Sequence, residues 1–206
     1  MFSRSFNASD EKDDFLRPKI SDMEQMGHHQ KGARPRNQHH DPEFHFCPIC
    51  GGEVETRVLK GNEPSRPVCL VCGHIHYLDP KVVACAIVED HGKIVLVKRG
   101  INPQRGKWVL PGGYVDRGEE VDKAAIRETF EECGIKVEIV NLVGVYSYAG
   151  QLPVVIVYVA HFLSGDLVPR DETIEARLFS EEEIPWKDLG FQSTVDALRD
   201  YMLCQE

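Results

Sequence analysis

The alternation of apolar and polar positions divides the chain into stretches of different character. Residues 1–43 lack apolar periodicity, and His28, His29, His39 and His40 stand there among Gly, Pro, Asn and Gln. Such a composition offers no face to bury, so a disordered tail is expected. Residues 44–79 carry two Cys-x-x-Cys pairs and few large apolar side chains. From 80 to 206 the pattern is that of a packed domain. Lys81–Val88 reads as a buried strand, Asp90-His91-Gly92 as a turn, and Lys93–Lys98 as a second strand. A Gly/Pro loop over 100–107 leads through Trp108-Val109-Leu110 to Pro111-Gly112-Gly113. A helix is predicted from about Glu120 to Cys133, stopped by Gly134. Apolar runs at Val137–Tyr148, Val154–Leu163 and Arg177–Phe179 predict further strands, and Trp186–Leu189 a short turn. Ser193–Leu203 is expected to close the chain as a helix, with Ser193 or Thr194 as its N-cap. Strands mixed with helices predict an α/β fold, a mixed sheet covered on both faces.

The length of 206 residues suits one medium domain with a small appendage, and 42% apolar residues suffice for a core. The net charge of −9 disfavours sequence-independent binding to nucleic acid, so no nucleic-acid partner is expected. Small anionic substrates remain compatible, because a bound metal inverts the local charge. No apolar run reaches the ~18 residues of a membrane span. The first residues lack an apolar signal core and are too acidic for a transit peptide. A cytoplasmic protein without a membrane partner is therefore expected.

The cysteine pairs are Cys47-Pro48-Ile49-Cys50 and Cys69-Leu70-Val71-Cys72. Each can offer two thiolates to one ion, and Gly51 and Gly73 allow the tight backbone after each pair. Four thiolates suit a structural Zn²⁺, and a unit this small needs such a staple. Two disulfides or a redox pair are the alternatives. His74 and His76 read as outer or packing residues, because the cysteines already complete a tetrahedron.

At about 100° per residue, the predicted helix gathers Glu128, Glu131 and Glu132 on one face. Ile126, Phe130 and Cys133 are expected on the opposite, core-facing side, with Ala124 and Ala125 flanking the acidic cluster. Glu128 has no basic partner at i±4, whereas Arg127 can hold Glu131. Like charges repel along a helix, and a divalent cation would reverse that sign. A solvated acidic face is the alternative.

The stretch from Gly113 to Ile135 resembles the Nudix box, G-x5-E-x7-R-E-U-x-E-E-x-G-U with U a bulky residue. It fits at Gly113, Glu119, Arg127, Glu128, Thr129, Glu131, Glu132, Gly134 and Ile135, with Thr129 a mild substitute. Trp108-Val109-Leu110-Pro111-Gly112-Gly113 looks like the usual approach to that box. The run from Cys72 to Lys81 is similar to Nudix proteins with a zinc ribbon, and Leu178–Pro185 to the family's late strand and turn. Residues from about 45 to 200 are covered. Within the family, the chain is similar to plant chloroplast enzymes acting on FAD and ADP-ribose and to their bacterial relatives. The resemblance implies a Nudix α/β/α sandwich behind a zinc ribbon. It implies Mg²⁺ (or Mn²⁺) on Glu128, Glu131 and Glu132, with the Gly112 carbonyl as a further ligand and Gly113 in the same loop. Glu119 would act through a water of the ion's shell or orient the loop, and Arg127 would orient Glu131. A carboxylate from a later loop often serves as base or ligand in the family, and Glu172 and Glu175 are the candidates.

The substrate implied is a small nucleotide, a nucleoside diphosphate joined to another group, with ADP-ribose or FAD favoured. NADH or NAD, nucleoside triphosphates, or a non-catalytic nucleotide sensor are the alternatives. NADH-cleaving relatives typically carry a Ser-Gln-Pro-Trp-Pro-Phe-Pro-like signature after the box, where this chain has Tyr146–Pro153. Tyr146, Tyr148 and Trp108 are candidates to stack on a base or flavin. A homodimer is left open.

Overall fold

The computed structural model describes residues 44–204, and the tail expected over 1–43 lies outside them. The chain divides into compact units between Leu78 and Asp79. In the smaller unit, β1 (Val54–Arg57) pairs antiparallel with β2 (Arg66–Cys69), Val54 opposite Cys69. A tight turn follows each first cysteine: Gly51 N–H donates to the Cys47 carbonyl at 2.8 Å, and Gly73 N–H to that of Cys69 at 3.1 Å. Gly51 at φ +74° and Gly73 at φ +72° take left-handed conformations that a side chain would strain. His76 is buried, stacks on Phe44 at 5.2 Å and meets the exposed His74 edge-on at 4.6 Å, so His76 is a packing residue.

The larger unit is built on a mixed sheet. The long strands β3 (Lys81–Asp90) and β4 (Lys93–Arg99) form a hairpin that pairs only at its tip, Glu89 with Ile94 and Asp90 with Lys93. Beyond the tip they diverge. β3 pairs with the short β6 (Gly112–Tyr114), and β4 with β5 (Trp108–Val109) and β9 (Thr173–Phe179). On its other edge β3 runs parallel to β8 (Pro153–Ser164), which is antiparallel to β7 (Lys136–Tyr146). β9 is longer than its apolar run suggested, because its alternating Thr173, Glu175 and Arg177 are polar ladder residues.

Alternation along the strands sorts the core into layers. Ile87, Ile94, Leu96, Val157 and Val159 pack with Ala197, Leu198 and Tyr201 of α2 (Gln192–Leu203). Ala86, Val88, Val95, Val97 and Ala160 pack with Cys133 of α1 (Val121–Cys133). α2 begins one position before the expected Ser193; Phe191 occupies the N-cap and makes no side-chain cap bond. Ser193 and Thr194 are instead buried within its first turn, so packing took them from capping. Trp108 is only 7% exposed and lies edge-to-face on Phe179 at 4.9 Å. It is a core residue and offers no stacking platform. Among the described residues no helix is long and apolar enough to cross a membrane.

Candidate active site

Helix α1 brings the carboxylates to the place where β3 and β4 diverge. Its buried residues are Ala124, Ala125, Thr129 and Cys133, while Phe130 is 41% exposed. Of the expected core face, Cys133 is buried and Ile126 packs against the core, and Phe130 alone is corrected. Ala124 and Ala125 press against Ala84 of β3, since small side chains let a helix approach a strand closely. Glu128 and Glu132 stand four and eight residues after Ala124, so they project from that same inward side. Thr129 is accommodated in the core because its hydroxyl donates to the Ala125 carbonyl at 2.7 Å.

Arg127 is the hub of the charged cluster. Its Nε and Nη2 grip both oxygens of Glu119 at 2.7 and 2.8 Å, and Nη2 also donates to the Tyr114 carbonyl at 3.1 Å. Its Nη1 donates to Glu128 at 2.7 Å and to Glu131 at 3.0 Å. Glu128 therefore has a basic partner at i−1, which the i±4 rule did not reveal. The Arg127 guanidinium, with the Asp116 N–H, holds the Glu119 carboxyl down to about 2. Glu119 thereby ties the Asp116 turn to the helix, with Asp116 N–H donating at 3.0 Å.

Glu132 is anchored differently, by the Gly112 N–H at 3.0 Å. Burial pushes its carboxyl up to about 7; the Gly112 N–H and Arg99 oppose this, and the charges of Glu128 and Glu172 reinforce it. Burial likewise raises Glu128 against the pull of Arg127. Glu128 sits hard on the backbone: a Cβ on Gly113 would lie 2.4 Å from its carboxyl carbon. Cys85, opposite Gly112 in the β3–β6 register, borders the same carboxylates, and burial followed by their charge pushes its thiol up to about 12. Cys85 and Arg99 were not singled out from sequence as site residues, because no linear spacing links them to the box.

The loop after β8 delivers Glu172. Val168 N–H donates to the Cys133 carbonyl and Arg170 N–H to that of Glu132, both at 3.0 Å. These bonds satisfy carbonyls at the end of α1, and the Glu172 carbonyl then accepts from Gly100 N–H at 2.6 Å. Glu175 stands on β9 opposite Lys98 and pairs with it at 3.5 Å.

In the smaller unit the sulfurs of Cys47, Cys50, Cys69 and Cys72 all lie within 4.8 Å of one another, and none forms a disulfide. Cys47 and Cys72 are 3.8 Å apart, and Cys50 and Cys69 3.5 Å. A tetrahedron with bonds of ~2.3 Å has edges of ~3.8 Å, so the set fits a zinc ion. Among the described residues no other group of three or more Cys, His, Asp or Glu ligand atoms converges this tightly. The helix glutamates gather at one place but stand further apart.

A glutamate ahead of a helix gripped by an arginine in its middle, inward carboxylates and a divergent hairpin define a hydrolase site of the Nudix type. The chain belongs to the Nudix hydrolase family: residues 78–200 match the family model described as NUDIX domain. Residues 45–78 match the zinc-ribbon family described as Nudix N-terminal. An ADP-ribose pyrophosphatase of Methanocaldococcus jannaschii is 37% identical over 61% of this chain and 75% of its own length. An NAD-capped RNA hydrolase NudC of Vibrio parahaemolyticus is 28% identical over 71% of this chain, which spans 55% of that relative. A crystal structure of a NUDIX hydrolase from Nitrosomonas europaea superposes with a TM-score of 0.74 at 42% identity, covering 78% of this chain and 91% of that one.

Proposed function

We propose that this protein hydrolyses the diphosphate of a nucleoside diphosphate joined to a second organic group, with ADP-ribose first and FAD next. The observation that carries this is the pair of inward carboxylates, Glu132 on the Gly112 N–H and Glu128 against Gly113, at the mouth of the diverging hairpin. With Glu131 beside them, this is a hard oxygen donor set suited to Mg²⁺ or Mn²⁺. When bound, such an ion would screen the diphosphate's charge and acidify a water for attack. Arg127 fixes Glu119, Glu128 and Glu131 in one arrangement, and Glu172, whose charge is felt at Glu132, is the carboxylate proposed to take the proton of an attacking water. Water adds to one phosphorus as the bridging oxygen leaves with the other phosphate. The products are a nucleoside monophosphate and a phosphate ester.

The similarity to an enzyme named for ADP-ribose supports the substrate class. The NudC relatives favour a second reading, hydrolysis at an NAD-type diphosphate, free or on RNA. The test is kcat/KM at equal Mg²⁺ for ADP-ribose, FAD, NADH, NAD-capped RNA and dGTP. ADP-ribose or FAD should lead. A tenfold or larger lead by dGTP, NADH or capped RNA would replace this reading.

The raised carboxyl of Glu132 makes metal binding compete with a proton. Apparent Mg²⁺ affinity should rise from pH 6 to about 7 and level off above, changing by up to about tenfold per unit on the rising limb. A Mg²⁺ titration giving equal affinity at pH 6 and 8 would contradict this.

The cysteine cluster is proposed to hold structural Zn²⁺. Elemental analysis after dialysis should find about one zinc per chain. A zinc-free, folded protein with a Cys47–Cys72 disulfide would refute it.

A further inference from the structure

A cavity of about 370 Å³, away from the box glutamates, is lined by Tyr146, Tyr148, Asp196, Arg199 and Asp200. Its size falls in the range of small-molecule sites. Tyr146 donates its hydroxyl to Asp200 Oδ2 at 2.8 Å, and Tyr148 to Asp196 Oδ2 at 2.7 Å. Gln192 occupies the other oxygen of Asp196 at 2.8 Å. Asp200 Oδ1 has no hydrogen-bond partner among the described residues. The cavity thus offers aromatic faces and one free carboxylate acceptor. Two aspartates against one arginine make it unfavourable for phosphate.

The sheet register joins this cavity to the glutamates. Gly112 is opposite Cys85, Cys85 beside Val157, and Val157 opposite Gly144. In the adjoining row Val83 is beside Val155, and Val155 is opposite Tyr146. Cys85, Val155 and Tyr146 are all partly buried against the α2-side core, so they share one face of the sheet. Three strand spacings put Gly144 about 14 Å from Gly112. Cys85 and Val155, partly exposed on that face, lie between the two ends, and the Tyr146 ring lies over Gly144 at the far one.

We infer that this cavity receives the nucleobase while the diphosphate lies at the Gly112–Glu132 end, and that it selects adenine through the exocyclic amine. The inference rests on the function proposed above. Adenine presents N–H at position 6, which the free oxygen of Asp200 accepts, while the tyrosine rings supply stacking. Hypoxanthine presents a carbonyl there, which a carboxylate repels. In Asp200→Asn the amide oxygen still accepts from Tyr146, and the amide N–H₂ then faces the cavity as a donor, suited to hypoxanthine.

The test uses the full chain in two assays. In the first, AMP and IMP are titrated calorimetrically with a chelator that leaves zinc in place. The wild type should bind AMP about tenfold or more tighter than IMP, and Asp200→Asn should abolish or invert that preference. In the second, kcat/KM for ADP-ribose against inosine diphosphate ribose should show the same preference and the same inversion. Equal binding of AMP and IMP, or a preference unchanged in Asp200→Asn, overturns the inference even if ADP-ribose is cut. Loss of the preference in binding without turnover of either diphosphate sustains the inference and removes the proposed activity instead.

Discussion

Replacing Glu132 with glutamine should lower Mg²⁺-dependent hydrolysis by more than ~100-fold. Loss of an outer partner of a metal ligand costs roughly 10–100-fold, and Glu132 is proposed as a ligand itself. The fold should survive. The amide oxygen can keep the Gly112 N–H contact seen at 3.0 Å. The sign of the stability change also follows. Burial raises Glu132 to about 7, so at pH 8 the metal-free protein holds a desolvated charge that the unfolded chain does not. A neutral amide removes that cost, and metal-free Glu132→Gln should melt no lower than the parent at pH 8. Near-normal turnover by the folded variant would remove Glu132 from the site.

The adjacent glycines should fail in different ways when changed to alanine. At Gly112, with φ +153°, a Cβ would lie 2.4 Å from the Ala84 carbonyl oxygen and 2.6 Å from the Cys85 Cα. Backbone cannot swing aside, so Gly112→Ala should destabilise the larger unit by about 3 kcal/mol. At Gly113 the obstacle is the mobile end of Glu128, 2.4–2.6 Å away. That side chain can move, so Gly113→Ala should keep most stability yet displace a carboxylate. A displacement of this size costs about 100-fold in rate. Thermal melts and kcat/KM on both variants check the contrast, and equal stability losses would contradict it.

The cysteine cluster and the carboxylate helix were legible because their chemistry is encoded in linear spacing. Cys-x-x-Cys forms its turn locally, and i, i+3, i+4 places glutamates together whatever surrounds the helix. The helix's orientation was legible only in part: Ile126 and Cys133 face the core as expected, and Phe130 does not. Large apolar residues suggested that Phe130 faced the core, but α1 packs through alanines against Ala84. That choice depends on β6 and its glycines, which no helical periodicity contains. The anchor of Glu132 on Gly112 and the placing of the Glu172 segment against Gly100 are tertiary as well. Both depend on a hairpin that diverges and on a loop tied to the end of the helix through Val168 and Arg170. Trp108 is one of three stacking candidates, but an aromatic beside a strand is more often core, and Phe179 and the sheet bury it.

Phosphorus NMR of ADP-ribose and of FAD, each incubated with the zinc-loaded protein, tests the proposed activity most directly. With Mg²⁺ or Mn²⁺, the diphosphate signals of at least one should be replaced by the two monoester signals of AMP and the companion phosphate ester. A chelator of those ions should stop the reaction. Diphosphate signals that persist with folded protein and either ion, or hydrolysis that proceeds at the same rate in chelator, would contradict it.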